Sequence, residues 1–458
     1  MTTARPSPQL TSAALVARLE RVPFSRWHVK VRVIVGIVTF FEAFDQLLVA
    51  YTLPVIRQEW ALAPWQLTLA VTAGSVGMLV GAVASGWSAD TFGRVRTIRI
   101  ALAITVIASL GLAICPGFWA FVLLRFVQGM GIGGEVPVAA AYIGELAKAK
   151  NRGRFVLLYE LVFPAGTLAA ALLATWIVPA FGWRWIYLVG VLPVVMLVLL
   201  RRAVPESPRW LAAKGRLAEA EAEVERIERA VEASTGRPLP APAPAAAPVA
   251  APAPTTRLAE LFQGMYRRRV VVVSALWFTA FFVNYGLTSW LPTIYTGTYG
   301  LSLDHALQLS LLSTVAGFTG CVAAAFTVDR IGRRRVLLGG MSLAGLALLA
   351  LAVTGAGTAG QVALLSTVAA TCSFAANITL YLYTPELFPT RSRALGTSIG
   401  AAWNRIGVIT GPIVVAAAVT SGSIAVAFAV LGVVSLVGVV VALAGPETAG
   451  RKLEDVSP

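Results

Sequence analysis

Charge is scarce in this chain. Asp, Glu, Lys and Arg make up 13% of its 458 residues, against about a quarter in an ordinary soluble domain. That shortage excludes a water-soluble globule, which needs a polar coat whatever its fold. Histidine is nearly missing. His28 and His305 both fall outside the apolar runs, so a Ser/His/Asp triad has no candidate base in the interior. The three cysteines, Cys115, Cys321 and Cys372, all lie within apolar runs, where free Cys acts as a small hydrophobe and no disulfide framework is suggested. No phosphate-binding loop, metal-ligand cluster or nucleophile–base pair stands out. No enzyme activity, cofactor or metal is therefore expected, and ATP-driven work is excluded for this chain alone. The first 30 residues are polar and basic without a separate apolar stretch, so no cleaved signal peptide is expected.

Apolar residues, by contrast, account for 57% of the chain. They gather in runs of the roughly 20 residues that a helix needs to cross a bilayer. Twelve such runs can be read, with cores at 31–53, 66–87, 98–114, 118–141, 155–178, 183–200, 270–294, 306–328, 336–354, 361–384, 394–419 and 424–444. They lack the alternation of lipid-facing strands, which leaves an all-α integral membrane protein rather than a barrel. The net charge of +15 points to topology and not to nucleic acid. All but four of the 37 Lys and Arg sit at the termini, in the even-to-odd loops or at the run ends that adjoin them; the exceptions are Arg57, Arg184, Arg125 and Arg405. By the positive-inside rule both termini and the long central loop are cytoplasmic.

Between the sixth and seventh runs the composition changes. Residues 217–232 are rich in Ala, Glu and Arg and read as a surface helix, and 238–254 is a proline–alanine tract that reads as a semi-extended tether. The expected organisation is an N-terminal segment at 1–30 and a six-helix bundle at 31–200. A cytoplasmic linker follows at 201–269, then a second six-helix bundle at 270–444 and a C-terminal segment at 445–458. Internal repetition supports the split. Asp90, Gly93, Arg94 and Arg96 recur 239 residues on as Asp329, Gly332, Arg333 and Arg335, while Glu145 and Arg152 recur 241 residues on as Glu386 and Arg393. Pro205-Glu206-Ser207 recurs as Pro446-Glu447-Thr448. Two parallel halves around a midplane site form an established transporter architecture.

These residues carry a family resemblance. The DxxGRxR loops resemble the major facilitator signature, and Arg125-Phe-Val-Gln-Gly-Met-Gly-Ile-Gly133 resembles that superfamily's fourth-helix motif. "PESPRWL" and "PETAGRKLE" resemble the sugar-porter and organic-ion branches. "FFEAFDQ", "GGEVPVAAAYIGEL" and "NYGLTSWLPTIY" look like the bacterial niacin-transporter group. The implied fold is two pseudo-symmetric bundles of twelve spans, and the implied setting is a bacterial inner membrane.

Six charges lie well inside the runs: Glu42, Asp45, Arg125, Glu135, Glu160 and Arg405. Intramembrane charges are functional candidates by default. Asp45 and Arg125 fall at similar depths, about 21 Å from one side and about 10 Å from the other, so a contact between them is expected. The resemblance to proton-coupled sugar porters implies that such a pair binds and releases a proton. A fixed buried pair holding two helices in register is the alternative. Glu42, one turn before Asp45, shares its face, and two carboxylates so close cannot both ionise cheaply. Glu135, about 15 Å below Arg125 on the same helix, is either a second relay station or a brace.

Arg405, near mid-span and flanked by Trp403 and Asn404, can grip a carboxylate with paired donors. Its alternative is an ion pair with Glu135 or Glu160. Asn284, the repeat counterpart of Asp45, and Tyr285 join the substrate candidates, as do Asn377, Trp290, Phe41, Phe163 and Tyr381. Asp90, Arg94, Arg96, Glu145 and Arg152, with Asp329, Arg333, Arg335, Glu386 and Arg393, are expected to form cytoplasmic gate bridges that break on inward opening. The glutamine-rich run of sugar porters is missing from the seventh helix, which argues against a polyhydroxy ligand. The expected protein is a monomeric proton symporter of a small aromatic or pyridine monocarboxylate. An exporter of drugs or organic cations, a sugar porter and a non-transporting receptor are the rivals.

Overall fold

The computed structural model describes residues 11–146, 161–240, 261, 263–388, 393–421 and 423–449. Twelve helices among them are long and apolar enough to cross a membrane. The first half comprises α1 (Ser12–Arg21), α2 (Arg26–Glu59), α3 (Pro64–Phe92), α4 (Arg94–Ala113), α5 (Phe118–Leu146), α6 (Val162–Phe181), α7 (Trp183–Val189) and α8 (Val194–Ala203). The linker carries α9 (Pro208–Ala213) and α10 (Leu217–Thr235). The second half comprises α11 (Gly264–Thr288), α12 (Leu291–Gly297), α13 (Leu303–Ile331), α14 (Arg333–Val353), α15 (Ala359–Glu386), α16 (Arg393–Thr420) and α17 (Ile424–Ala444).

Two spans read as continuous in the sequence are broken. The sixth divides at Gly190, where α7 ends, and resumes after Pro193. The seventh divides at Ser289–Trp290, with Pro292 in the first turn of α12. A proline lacks the N–H that the preceding turn would need, so a helix restarts there more readily than it continues. The fifth span starts at Val162 in the described residues, and its expected first turns from 155, with Glu160, lie outside them.

Buried side chains divide unevenly between the two faces of the membrane. Away from the linker, one apolar core is shared by both halves, joining Leu48, Tyr51 and Tyr187 to Trp290, Tyr295 and Phe428. On the linker face the core splits. Val31, Ile98 and Tyr142 pack within the first half, and Val273, Met341 and Tyr383 pack within the second. One shared core thus joins the halves on the face away from the linker, while toward the linker the two larger cores are separate and a small cluster of Cys321, Ala324 and Ile378 with Leu161 bridges the halves.

The segment expected as a simple N-terminal tail is partly folded. Thr11 caps α1 by accepting from the Ala14 N–H at 3.2 Å. Leu15 packs on Trp210, Leu211 and Val224, while Val22 packs on Ile227 and Val231. Arg18 and Arg21 both pair with Glu228 of α10, at 2.6 and 2.8 Å. This small assembly rides on the first half, through Trp210 Nε1 to the Asp90 carbonyl at 3.0 Å and Arg226 to the Arg202 carbonyl at 2.6 Å. The proline–alanine tract lies outside the described residues from 241 onward.

Candidate functional site

Where α2, α3 and α5 meet α11 and α16, a narrow cleft separates the halves, lined among others by Gln46, Gly74, Arg125, Tyr285 and Pro412. Arg125 can enter it because α3 has glycine at 74: a Cβ there would lie 2.8 Å from Nη2. The expected carboxylate contact with Asp45 takes another form. Arg125 Nη1 donates to the backbone carbonyl of Asp45 at 3.4 Å and to Gln128 Oε1 at 2.5 Å. Gln128 Nε2 donates to Ser109 Oγ at 2.8 Å, and Ser109 donates to Asp45 Oδ2 at 3.2 Å. The arginine reaches the carboxylate through two neutral side chains. Asp45 Oδ1 faces Gly190 at the break in the sixth span and accepts no hydrogen bond among the described residues.

Glu42 and Glu135 are both fully buried. Thr105 donates to Glu42 at 3.3 Å and Thr39 donates to Glu135 at 2.9 Å. Every titratable group of the buried interior that was expected to handle a proton thus belongs to the first half.

The second half holds a different set. Arg405 makes no hydrogen bond or ion pair among the described residues, so its expected alternative pairing with Glu135 is absent, and Glu160 lies outside them. Tyr285 and Tyr381 lie near its guanidinium. Those tyrosines end an aromatic row. Tyr381 meets Trp277 edge-on at 4.8 Å, Trp277 stacks on Phe281 at 5.4 Å, and Phe281 stacks on Tyr285 at 6.3 Å. On α16, Ala401, Arg405, Val408 and Pro412 share one face at about 100° per residue. Val408 and Pro412 line the cleft, and Ala401, one turn toward the linker face, is exposed. Asn284, Asn377 and Asn404 are each buried, and neither amide atom of Asn377 finds a hydrogen-bond partner among the described residues.

Several expected wall residues sit elsewhere. Trp290 is 2% exposed and its indole N–H is taken by the Pro412 carbonyl at 3.0 Å, so it seals the shared core. Trp403 is 39% exposed, on the side of α16 away from the cleft, with its edge against Phe278 at 6.1 Å. Phe41 packs between Phe40 and Phe44. Phe163 is partly buried at the start of α6, and no contact ties it to the cleft. Sequence reading missed Ser109 and Gln128, which carry no charge, and Trp277 and Phe281, which look like ordinary apolar residues of a span.

The repeated loops form two matching networks. Arg94 pairs with Asp90 at 2.7 Å and Glu145 at 3.3 Å; Arg333 pairs with Asp329 at 2.7 Å and Glu386 at 3.2 Å. Glu206 accepts from the N–H groups of Arg94 and Val95 at 2.8 and 3.1 Å, and Glu447 from that of Arg333 at 2.9 Å. These carboxylates satisfy the first turns of α4 and α14 and meet the positive end of each helix dipole. Gly93 and Gly332, at φ of 106° and 104°, turn the chain so that they can do so. Each of these bridges stays within one half. Arg96 lies over the Phe92 ring at 5.5 Å and Arg335 is exposed. Arg152 and the Arg393 side chain are outside the described residues.

A family model described as "Sugar (and other) transporter" matches residues 35–458. The chain belongs to that family. It is a major facilitator transporter and not an enzyme. Across 444 residues it is 32% identical to the niacin transporter of Acinetobacter baylyi, covering 96% of this chain and 99% of that one. A putative niacin/nicotinamide transporter of Bacillus subtilis is 31% identical, covering 92% and 96%. Among solved structures, an inward-open conformation of the xylose transporter XylE from E. coli superposes with a TM-score of 0.72 at 20% identity, over 94% of this transporter and 99% of that chain. The fold is thus the two-bundle, twelve-span architecture expected from the repeats.

Proposed function

We propose that this transporter is a proton-coupled symporter of a small aromatic or pyridine monocarboxylate such as nicotinate. The observation that carries the reading is Arg405: a guanidinium inside the second bundle, without an ion-pair partner, beside Tyr285 and Tyr381. A permanent cation placed there costs free energy that a bound anion offsets. Guanidinium takes a carboxylate with two parallel hydrogen bonds, and the aromatic row beside it offers faces and edges to a flat ring. The niacin transporter among its relatives supports the same substrate class. The proton is carried by Asp45, assisted by Glu42 and Glu135, with Arg125 linked to its carboxylate through Gln128 and Ser109.

The linker face is cytoplasmic in a bacterial inner membrane. The decisive experiment is uptake of labelled nicotinate into proteoliposomes with an acid-outside gradient. Accumulation should follow the gradient, and Asp45→Asn should abolish accumulation while leaving counterflow exchange. Gradient-driven accumulation by Asp45→Asn would show that the proton is carried elsewhere.

A further inference from the structure

Asn377 is the most anomalous polar residue in the second half. It is 6% exposed, and neither the amide oxygen nor the amide nitrogen finds a hydrogen-bond partner among the described residues. A buried amide left unmatched on both atoms is costly. The cost is removed if a ligand supplies the missing partner.

Its position fits that role. On α15, Asn377 lies between Tyr381 and Thr384 on the helical wheel, all three within about 60° of one another. Tyr381 meets Trp277 edge-on, and Thr384 accepts from the Trp277 indole N–H at 2.8 Å, so this face is turned to α11. The helices run antiparallel. Moving seven residues up α11 from Trp277 reaches Asn284. Moving the same distance back along α15, from the point between Tyr381 and Thr384, arrives within two residues of Asn377. The register therefore sets Asn284 and Asn377 at one level, yet they do not bond to each other. An unmatched amide with the buried Asn284 at its level, one turn from Tyr381 near Arg405, marks a second polar contact point beside the carboxylate grip.

We propose that Asn377, with Asn284 opposite it, is the specificity determinant that binds the ring heteroatom of the transported acid, an inference that rests on the carboxylate reading of Arg405. An amide can donate to a ring nitrogen and does not itself titrate. An acid of the same shape with C–H in place of the ring nitrogen leaves the amides unmatched and is rejected.

The test measures binding of nicotinate and benzoate to the purified, detergent-solubilised transporter, wild type and Asn377→Leu, by calorimetry. The wild type should prefer nicotinate by about tenfold or more, the equivalent of one well-formed hydrogen bond. Asn377→Leu should bind both acids alike, with benzoate unchanged or tighter. Its melting temperature without ligand should be equal or higher, since an unmatched amide has been removed. Asn377→Ala should lose the preference in the same way, which guards against a clash from the leucine. Equal weakening of both acids, or a preserved preference, overturns the assignment and makes Asn377 a packing residue. A wild type that binds neither acid overturns the carboxylate reading itself, and this inference falls with it.

Discussion

Arg125 grips the backbone of Asp45 and not its carboxylate. Nη1 donates to the main-chain carbonyl at 3.4 Å, and the hydrogen-bonded path from the guanidinium to the acid group runs through Gln128 and Ser109. A direct pair would lock the carboxylate ionised. A relay of neutral groups lets the arginine face the cleft while the acid remains free to exchange a proton, and it makes both residues of the relay positioning residues for coupling.

Gln128→Leu and Ser109→Ala should therefore change the pH dependence of transport more than substrate binding. Removing one relay bond costs about 1 kcal/mol in the protein interior. The pH midpoint of gradient-driven uptake should move in both variants, with nicotinate affinity at saturating proton held within about threefold. An unmoved midpoint in both would show that the relay only braces α4 against α5.

Arg405→Lys keeps the charge and loses the paired donors. Acid binding should weaken by about 1–3 kcal/mol, the range for one hydrogen bond to a charged group. Nicotinamide, which lacks the carboxylate, should bind the wild type poorly and lose less than nicotinate when Arg405 is changed to Gln. Equal losses for acid and amide would mark Arg405 as structural and favour the cation-export rival.

The clamp between α1 and α10 has a defined pH response. Burial opposes the charge on Glu228, but hydrogen bonds from Arg18 and Arg21 outweigh it and hold its carboxyl below the ordinary 4.5. A carboxylate with a depressed folded value contributes stability that is present above its ordinary value and lost as pH falls through the lowered one. Hydrogen exchange of residues 12–21 should be slow and flat from pH 5 to 8, once corrected for intrinsic rates, and should rise below pH 4.5. Arg18→Ala should speed it about five- to thirtyfold at neutral pH, for about 1–2 kcal/mol of lost pairing. Exchange that is fast in the wild type would show that α1 does not dock.

The twelve spans and the two halves were legible because length, hydropathy and a repeat offset are properties of the chain itself. The intramembrane charges were legible because lipid makes every charge conspicuous. Ser109 and Gln128 were not, since a neutral hydroxyl or amide in a span gives no signal until its neighbours are known. Trp290 and Trp403 misled for the same reason: an indole in a span looks alike whether it closes a core, faces lipid or meets a ligand. The gate residues were legible from the repeat, and Arg94 and Arg333 each meet carboxylates named with them, Asp90 and Glu145 in one half and Asp329 and Glu386 in the other. Glu206 and Glu447, quoted only as parts of a repeated motif, supply the helix caps around which both networks are built.

Two glycines offer the sharpest test of the site, because the atom nearest an added Cβ belongs to Asp45 at Gly190, where the Tyr187 carbonyl comes next at 3.1 Å, and to Arg125 at Gly74. A Cβ on Gly190 would collide with Asp45 Oδ1, and one on Gly74 would stand 2.8 Å from Arg125 Nη2. Gly190 has φ of −62°, an ordinary right-handed conformation, and Gly74 lies within α3, so alanine suits both backbones. Each change also raises helix propensity by about 0.5–1 kcal/mol. The added methyl must therefore be accommodated by moving a side-chain end, which disturbs the site and not the fold. Gly190→Ala should keep its melting temperature, retain nicotinate counterflow and lose gradient-driven accumulation at least about tenfold, because small displacements of a reacting group are costly. Gly74→Ala should impair counterflow as well, since it pushes the cleft-facing arginine into the path between the halves. Normal coupling in Gly190→Ala, with the fold intact, would show that the position of the Asp45 carboxylate does not govern proton transfer.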